Sequence, residues 1–173
     1  MTATPTATPW LVLLNGLPGV GKSTLAAAWA ARRPGTLNLD IDVVRGLISG
    51  PPRDTAAPAR ALGLAMAVEH LRGGHDVVVP QLVARTDQVG RFARAAEAAS
   101  ARLVHVLVEA PPEAVAERVL ADAAPHRRDL GPDLVAAYTA GLADVARTRA
   151  LLRLVNDDVA DAVVRLDALV GPA

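Results

Sequence analysis

The chain has 173 residues, 51% of them apolar and 21% charged, so it can bury a core and is no disordered polyelectrolyte. Eighteen basic residues balance eighteen acidic ones, and four aromatics are too few to stack bases, which argues against general nucleic-acid binding. With no cysteine, disulfides, thiolate metal sites and thiol nucleophiles are excluded, and four scattered histidines make a poor zinc site.

Residues 1–9, MTATPTATP, read as a Pro-broken, low-complexity tail without the charged start and apolar stretch of a secretory leader, pointing to a cytoplasmic protein. Trp10–Leu14 is a continuous apolar run of strand length, and Ser23–Arg32 has helical spacing up to Pro34-Gly35. Thr36–Leu39 reads as a second strand, Val43–Ile48 as a helix ended by Gly50-Pro51-Pro52, and Ala56–Arg72 as a helix closed by Gly73-Gly74. Val77–Val79 is a third strand. Thr86–Ser100 is a helix with Thr86 as its expected N-cap, and Leu103–Val108 a fourth strand. Pro112–Ala121 opens as a helix with proline in its first turn, whereas Ala123–Pro132 is a polar loop. Asp133–Leu152 is helical, Arg153–Val155 a fifth strand and Asp157–Val170 a last amphipathic helix. Strands alternating with helices predict a single α/β domain over residues 10–173, a parallel sheet covered on both faces.

Of the eighteen basic residues seventeen are arginine; the one lysine is Lys22. It stands in Gly16-Leu17-Pro18-Gly19-Val20-Gly21-Lys22-Ser23, a full G-x-x-x-x-G-K-S/T loop, followed by Thr24, with a strand before it and a helix after it. The glycines let backbone N–H groups curl inward around a phosphate, and the helix adds its positive end. In such a loop Lys22 bridges the β- and γ-phosphates and the Ser23 hydroxyl ligates Mg²⁺, so the pattern points to a bound nucleoside triphosphate.

Asn38-Leu39-Asp40-Ile41-Asp42-Val43-Val44-Arg45 follows strand two. Adjacent parallel strands end side by side, which directs Asp40 and Asp42 toward the γ-phosphate. A carboxylate there can accept the proton of an attacking hydroxyl or hold Mg²⁺, and Arg45 one turn on can grip a polar or anionic acceptor. The alternative is that Asp42 caps a helix and Asp40 ends a strand.

The phosphate loop, the D-x-D and D-x-x-R after strand two and an arginine-bearing loop before the penultimate helix resemble the small P-loop kinases of the nucleoside-monophosphate-kinase-like group. That group includes shikimate kinase, gluconate kinase, chloramphenicol phosphotransferase and the polynucleotide-kinase-like and zeta-toxin-like AAA-family proteins. The resemblance implies a three-layer α/β/α P-loop fold with a five-stranded parallel sheet of order 2-3-1-4-5 and a short lid. It also implies transfer of the γ-phosphoryl of ATP, with Mg²⁺, to a hydroxyl of a sugar, antibiotic or other metabolite. Asp42 is then the base or acceptor clamp, Asp40 a metal contact, Arg118 a residue packing over the adenine, and Arg127 and Arg128 lid arginines that reach the phosphates. Physically, a loop arginine brought in on binding meets charge as it migrates onto phosphate oxygens, although a solvated surface pair is the other reading. Asn156 is a candidate for the purine edge.

The third strand ends Val79-Pro80-Gln81 rather than in the aspartate of a Walker B strand, which increases the weight on Asp40. Gln81 and Arg85 face the acceptor side in this topology, or are ordinary loop polars. Glu109 mimics a Walker B acid or is a strand-end charge. The partners implied are ATP and a small hydroxyl acceptor, with no nucleic acid and no membrane, in a monomer or homodimer. Rival readings are a nucleotide-binding regulatory module or NTPase without transferase activity and a nucleic-acid 5′-hydroxyl kinase. A GTPase is excluded, because its Asn-Lys-x-Asp motif needs a second lysine.

Overall fold

The computed structural model describes residues 8–121 and 131–171. The elements run β1 (Trp10–Asn15), α1 (Lys22–Arg32), β2 (Leu37–Asn38), α2 (Ile41–Gly46), α3 (Pro52–Arg72), β3 (Val77–Pro80) and α4 (Thr86–Ala98). They continue through β4 (Arg102–Glu109), α5 (Pro112–Ala121), α6 (Pro132–Thr148), β5 (Leu152–Val155) and α7 (Val159–Val170).

The five strands form one sheet in the order β2-β3-β1-β4-β5, and every neighbouring pair is parallel. This is the expected 2-3-1-4-5 order. The pleat of β1 sorts its side chains into two layers. Leu11 and Leu13 enter a core with Val77, Val79, Leu71 and Phe92, beneath α3 and α4. Val12 and Leu14 enter the opposite core with Leu25, Trp29, Val106 and Leu166, beneath α1 and α7. The central strands are buried on both faces, as their unbroken apolar runs require.

Several boundaries differ from the sequence reading. Helix α3 starts at Pro52, four residues before the expected Ala56, with Pro52 in the first turn and Pro58 inside the helix. A first-turn proline has no N–H to lose, so the Pro-rich segment is compatible with helix where it reads as loop. Helix α4 does begin at Thr86, yet Arg85 takes the N-cap position and no side chain caps it. Helix α6 gains Pro132 and stops at Thr148, and Leu152 passes to β5 instead. Helix α7 begins at Val159, with Asp158 as its cap, accepting from Asp161 N at 3.0 Å.

Arg33, only 6% exposed, ties the end of α7 to the residue just before β3. Its Nε and Nη2 donate to Asp76 Oδ2 at 3.1 and 3.0 Å, and Nη1 donates to Gly171 O at 2.9 Å. Asp76 in turn accepts from the Trp10 backbone N–H at 2.8 Å, so this buried charge is matched on several sides. No helix among the described residues is long and apolar enough to cross a membrane.

Candidate active site

The loop from Gly16 to Gly21 joins the end of β1 to α1. Gly16 has φ +145° and Gly21 φ +87°, conformations in which L side chains are strained. A Cβ on Gly16 would collide with the Val108 carbonyl oxygen, and one on Gly21 with Asn156 Nδ2. Both motif glycines are thus demanded by close approach as well as by torsion. Lys22 Nζ folds back over the loop, donating to the carbonyls of Gly16 and Leu17 at 2.9 and 2.8 Å. Ser23 and Thr24, in the first turn of α1, are exposed.

Asn156, expected at the purine edge, packs against the phosphate loop. Asn156 is fully buried after β5, and its Nδ2 donates to the Val20 carbonyl at 2.8 Å, bracing the phosphate loop from behind. Arg118, in the last turn of α5, reaches the same carbonyl through Nη1 at 3.4 Å and lies on the cleft side of the loop.

Asp40 and Asp42 divide the roles differently from the sequence alternative. Asp40 is the N-cap of α2, its Oδ1 accepting from the Asp42 backbone N–H at 2.9 Å. Asp42 is therefore released from capping, and its Oδ1 pairs with Arg45 Nη2 at 3.2 Å, one turn along the helix.

These residues share one cleft of about 1140 Å³. The phosphate loop, Lys22, Ser23, Thr24 and Arg118 line one half. Asp40, Asp42 and Arg45 meet Gln81, Arg85 and Arg60 in the other, closed by Ala137 and Tyr138 of α6. Arg85 makes a two-pronged contact with Asp87, Nε to Oδ1 at 3.0 Å and Nη2 to Oδ2 at 3.1 Å. That hydrogen bond holds the Asp87 carboxyl below its usual range and raises the Arg85 guanidinium further. Glu109 lies outside this lining and pairs with Arg153 on β5, the strand-end charge of the two readings. Arg127 and Arg128, with the lid assigned to them, lie outside the described residues.

Arg60, Gln88 and Tyr138 line the cleft without having been singled out by sequence. Tyr138 carries a faint signal, as the one tyrosine of the chain. A further unread residue is Asn15 at the end of β1, fully buried beside His105 on β4. Its Nδ2 lies 3.1 Å from His105 Nε2, and burial holds that imidazole well below its ordinary range, at about 4. Helix α6 is seated against the loop after β3 at Gly141, where a Cβ would strike the Ala84 carbonyl oxygen.

Residues 11–145 match the AAA domain family along most of the chain. The chain belongs to the AAA domain family. No curated protein matches it at significance. Among solved structures, this AAA domain resembles the tunicamycin resistance protein of Deinococcus radiodurans, with TM-score 0.69 and 19% identity, covering 96% of this chain and 98% of that one. It also resembles the Mycobacterium tuberculosis APS kinase in complex with AMPPNP and APS, with TM-score 0.64 and 19% identity, covering 94% and 98%. A gluconokinase from Sinorhizobium meliloti aligns with TM-score 0.56 and 18% identity, over 94% and 95%. At such identities the likeness is one of fold, and it spans nearly the full length of each chain.

Proposed function

We propose that this AAA domain is an ATP-dependent kinase, with residues 10–173 as its single catalytic domain, that transfers the γ-phosphoryl group to a hydroxyl of a small molecule. The observation that carries the reading is the shared cleft: a complete phosphate loop faces a carboxylate, Asp42, that is not used as a helix cap. Kinases among the structural neighbours, one of them holding AMPPNP and APS, support the same reading.

In this scheme the loop amides and Lys22 bind the phosphates, Lys22 exchanging the Gly16 and Leu17 carbonyls for β- and γ-phosphoryl oxygens. Arg118 lies beside the loop where the nucleotide would pass. The acceptor hydroxyl sits against Asp42. Its oxygen forms the new bond to the γ-phosphorus, the bridging bond to the β-phosphate breaks, ADP leaves, and the hydroxyl proton passes to the Asp42 carboxylate. Arg45 orients that carboxylate.

The donor set suits Mg²⁺. Ser23 offers a hydroxyl, and Asp40 offers Oδ2 beyond the Oδ1 spent on its cap; Mg²⁺ takes one or two such ligands and fills the rest with water and phosphate oxygens. When bound, the ion supplies charge neutralisation on the phosphates. Arg127 and Arg128 are assigned as the arginines that would close over them.

The test is ADP formation by the purified protein with MgATP across panels of sugars, antibiotics and hydroxy metabolites. Lys22→Ala should abolish acceptor-dependent ADP release and weaken AMPPNP binding in calorimetry while circular dichroism stays unchanged. AMPPNP affinity equal to wild type in that variant would remove the phosphate-loop assignment.

A further inference from the structure

The acceptor half of the cleft contains three arginines, and they are not equivalent. Arg45 is matched by Asp42 at 3.2 Å, and Arg85 by Asp87 at 3.0 Å. Arg60 is half-buried, lines the cleft, and has no hydrogen-bond or carboxylate partner among the described residues; its Nε is fully shielded from solvent and makes no hydrogen bond. The helix supplies no candidate either. Positions 56, 57, 63 and 64, one turn away along α3 in either direction, are Ala, Ala, Gly and Leu. Asp54, the nearest acid in sequence, faces Arg53 at the exposed helix start.

The place of Arg60 is set by packing. Ala59 beside it is fully buried, and Gly63 one turn on lies so close to α2 that a Cβ would stand 3.1 Å from Ile41 Cγ1. Helices α2 and α3 therefore meet closely where one supplies Asp42 and the other Arg60. A guanidinium nitrogen withdrawn from water without an acceptor is unfavourable in the free protein, and a ligand that supplies one recovers that loss on binding. Gln81 Oε1 is the other buried polar side-chain atom without a partner among the cleft-lining residues, an acceptor that a ligand N–H or O–H would satisfy.

We propose that Arg60 is the acceptor-anion site: the hydroxyl compound phosphorylated here carries an oxyanion, a carboxylate, sulfate or phosphate, that Arg60 binds while Asp42 receives the hydroxyl. The inference rests on the kinase reading above. Arginine suits the task because its planar fork meets two oxygens of one oxyanion at once, which a lysine does not. Asp42 with Arg45 and Arg85 with Asp87 are paired, and Asp40, which caps α2, has its second oxygen assigned to Mg²⁺, so Arg60 is the one arginine of this half without a carboxylate among the described residues. A neutral sugar or alcohol would leave it unmatched in the complex as well.

The experiment is calorimetric titration of the protein, saturated with Mg²⁺ and AMPPNP so that the phosphate loop is filled, with sodium sulfate, sodium phosphate and glycolate at constant ionic strength. At least one anion should bind the wild type, and Arg60→Gln should weaken it at least tenfold, with Arg53→Gln, at the exposed start of α3, binding as wild type. The anion bound most tightly identifies the class. Arg60→Lys, which keeps the charge but loses the fork, should fall between the two and decides the question if the Gln variant fails to fold. Equal affinity in wild type and Arg60→Gln, or no binding of any of the three to the wild type, overturns the proposal. Failure of the kinase reading shows separately, as ADP release that no hydroxyl acceptor stimulates, and failure of nucleotide binding as absent AMPPNP binding. The same titrations on nucleotide-free Lys22→Ala protein, whose phosphate loop is disabled, then still decide the role of Arg60.

Discussion

Asn15 and Val83, 68 residues apart in sequence, are joined by a reciprocal pair of hydrogen bonds. Asn15 Nδ2 donates to the Val83 carbonyl at 2.8 Å, and Asn15 Oδ1 accepts from the Val83 N–H at 2.8 Å. The same Oδ1 accepts from the Gly16 N–H at 2.8 Å. One buried carboxamide thus fastens the first residue of the phosphate loop to the segment carrying Gln81 and Arg85, linking the two halves of the cleft through the end of β1. Asn15→Leu, close in size, should leave three buried backbone groups unmatched and destabilise the fold by about 3 kcal/mol. Urea unfolding measures this; a loss under about 0.5 kcal/mol would show that water replaces the carboxamide.

Gly21→Ala tests the geometry of the loop itself. The variant must hold alanine at φ +87° while its Cβ presses on the amide that braces Val20. The torsion alone costs about 1 kcal/mol, and the clash displaces either the loop or Asn156. AMPPNP affinity should fall at least about tenfold, roughly 1.4 kcal/mol, in calorimetry. Unchanged affinity would mean that Asn156 yields without moving the loop.

The legible and illegible parts of this chain divide by the range of the forces involved. The phosphate loop is local: glycine torsions, a preceding apolar run and a following helix all lie within Trp10–Arg32, so the pattern is readable in one stretch. The buried strands are equally local, because both-sided burial writes continuous Val/Leu runs such as Val77–Val79. Helix α3 is read short at its start because prolines weigh against helix in a propensity reading, although a first-turn proline costs nothing. Asn15, Arg60 and Gly141 carry no local signal. Each has its meaning only through a partner distant in sequence: Val83, the cleft wall and Ala84 respectively. Asn156 shows the same limit from the other side, since its position after β5 is readable but its use as a brace depends on Val20.

His105 should make stability fall on acidification. Its imidazole, 4% exposed, titrates at about 4 in the folded protein because burial disfavours the charged ring, against about 6.5 when the chain is unfolded. Above pH 6.5 it is neutral in both states and contributes no slope. As pH falls from about 6.5 to about 4, the unfolded chain binds a proton that the folded one refuses, so stability is lost across that window, by about 3 kcal/mol in all. Carboxylates titrate at the acid end of the same range, so the readout is a difference. The wild type should lose more stability between pH 7 and pH 4.5 than His105→Gln in urea titrations, and parallel curves would show that the ring is protonated in the folded state.

Asp42 and Asp40 separate by phenotype. Asp42 lines the cleft with its carboxylate held by Arg45, whereas Asp40 spends one oxygen on the backbone N–H of Asp42. If Asp42 receives the hydroxyl proton, Asp42→Asn should lower turnover with a phosphorylated acceptor by about 10²–10⁴, the range of positioned proton transfer. Phosphoryl transfer is largely positioning and charge stabilisation, so part of the loss should appear in acceptor KM. AMPPNP affinity should barely change, because the loop amides, Lys22 and Ser23 hold the phosphates. Asp40→Asn keeps an oxygen able to cap α2, so the helix should persist, but it loses the negative charge offered to Mg²⁺. Its signature is therefore a higher Mg²⁺ concentration for half-maximal activity, with acceptor KM near wild type. The decisive comparison adds Glu109→Gln, whose parent carboxylate is engaged by Arg153 outside the cleft. Full turnover in Asp42→Asn together with loss of activity in Glu109→Gln would move the chemistry from α2 to the end of β4, and the kinase reading would then lose ground to a simple nucleotide hydrolase.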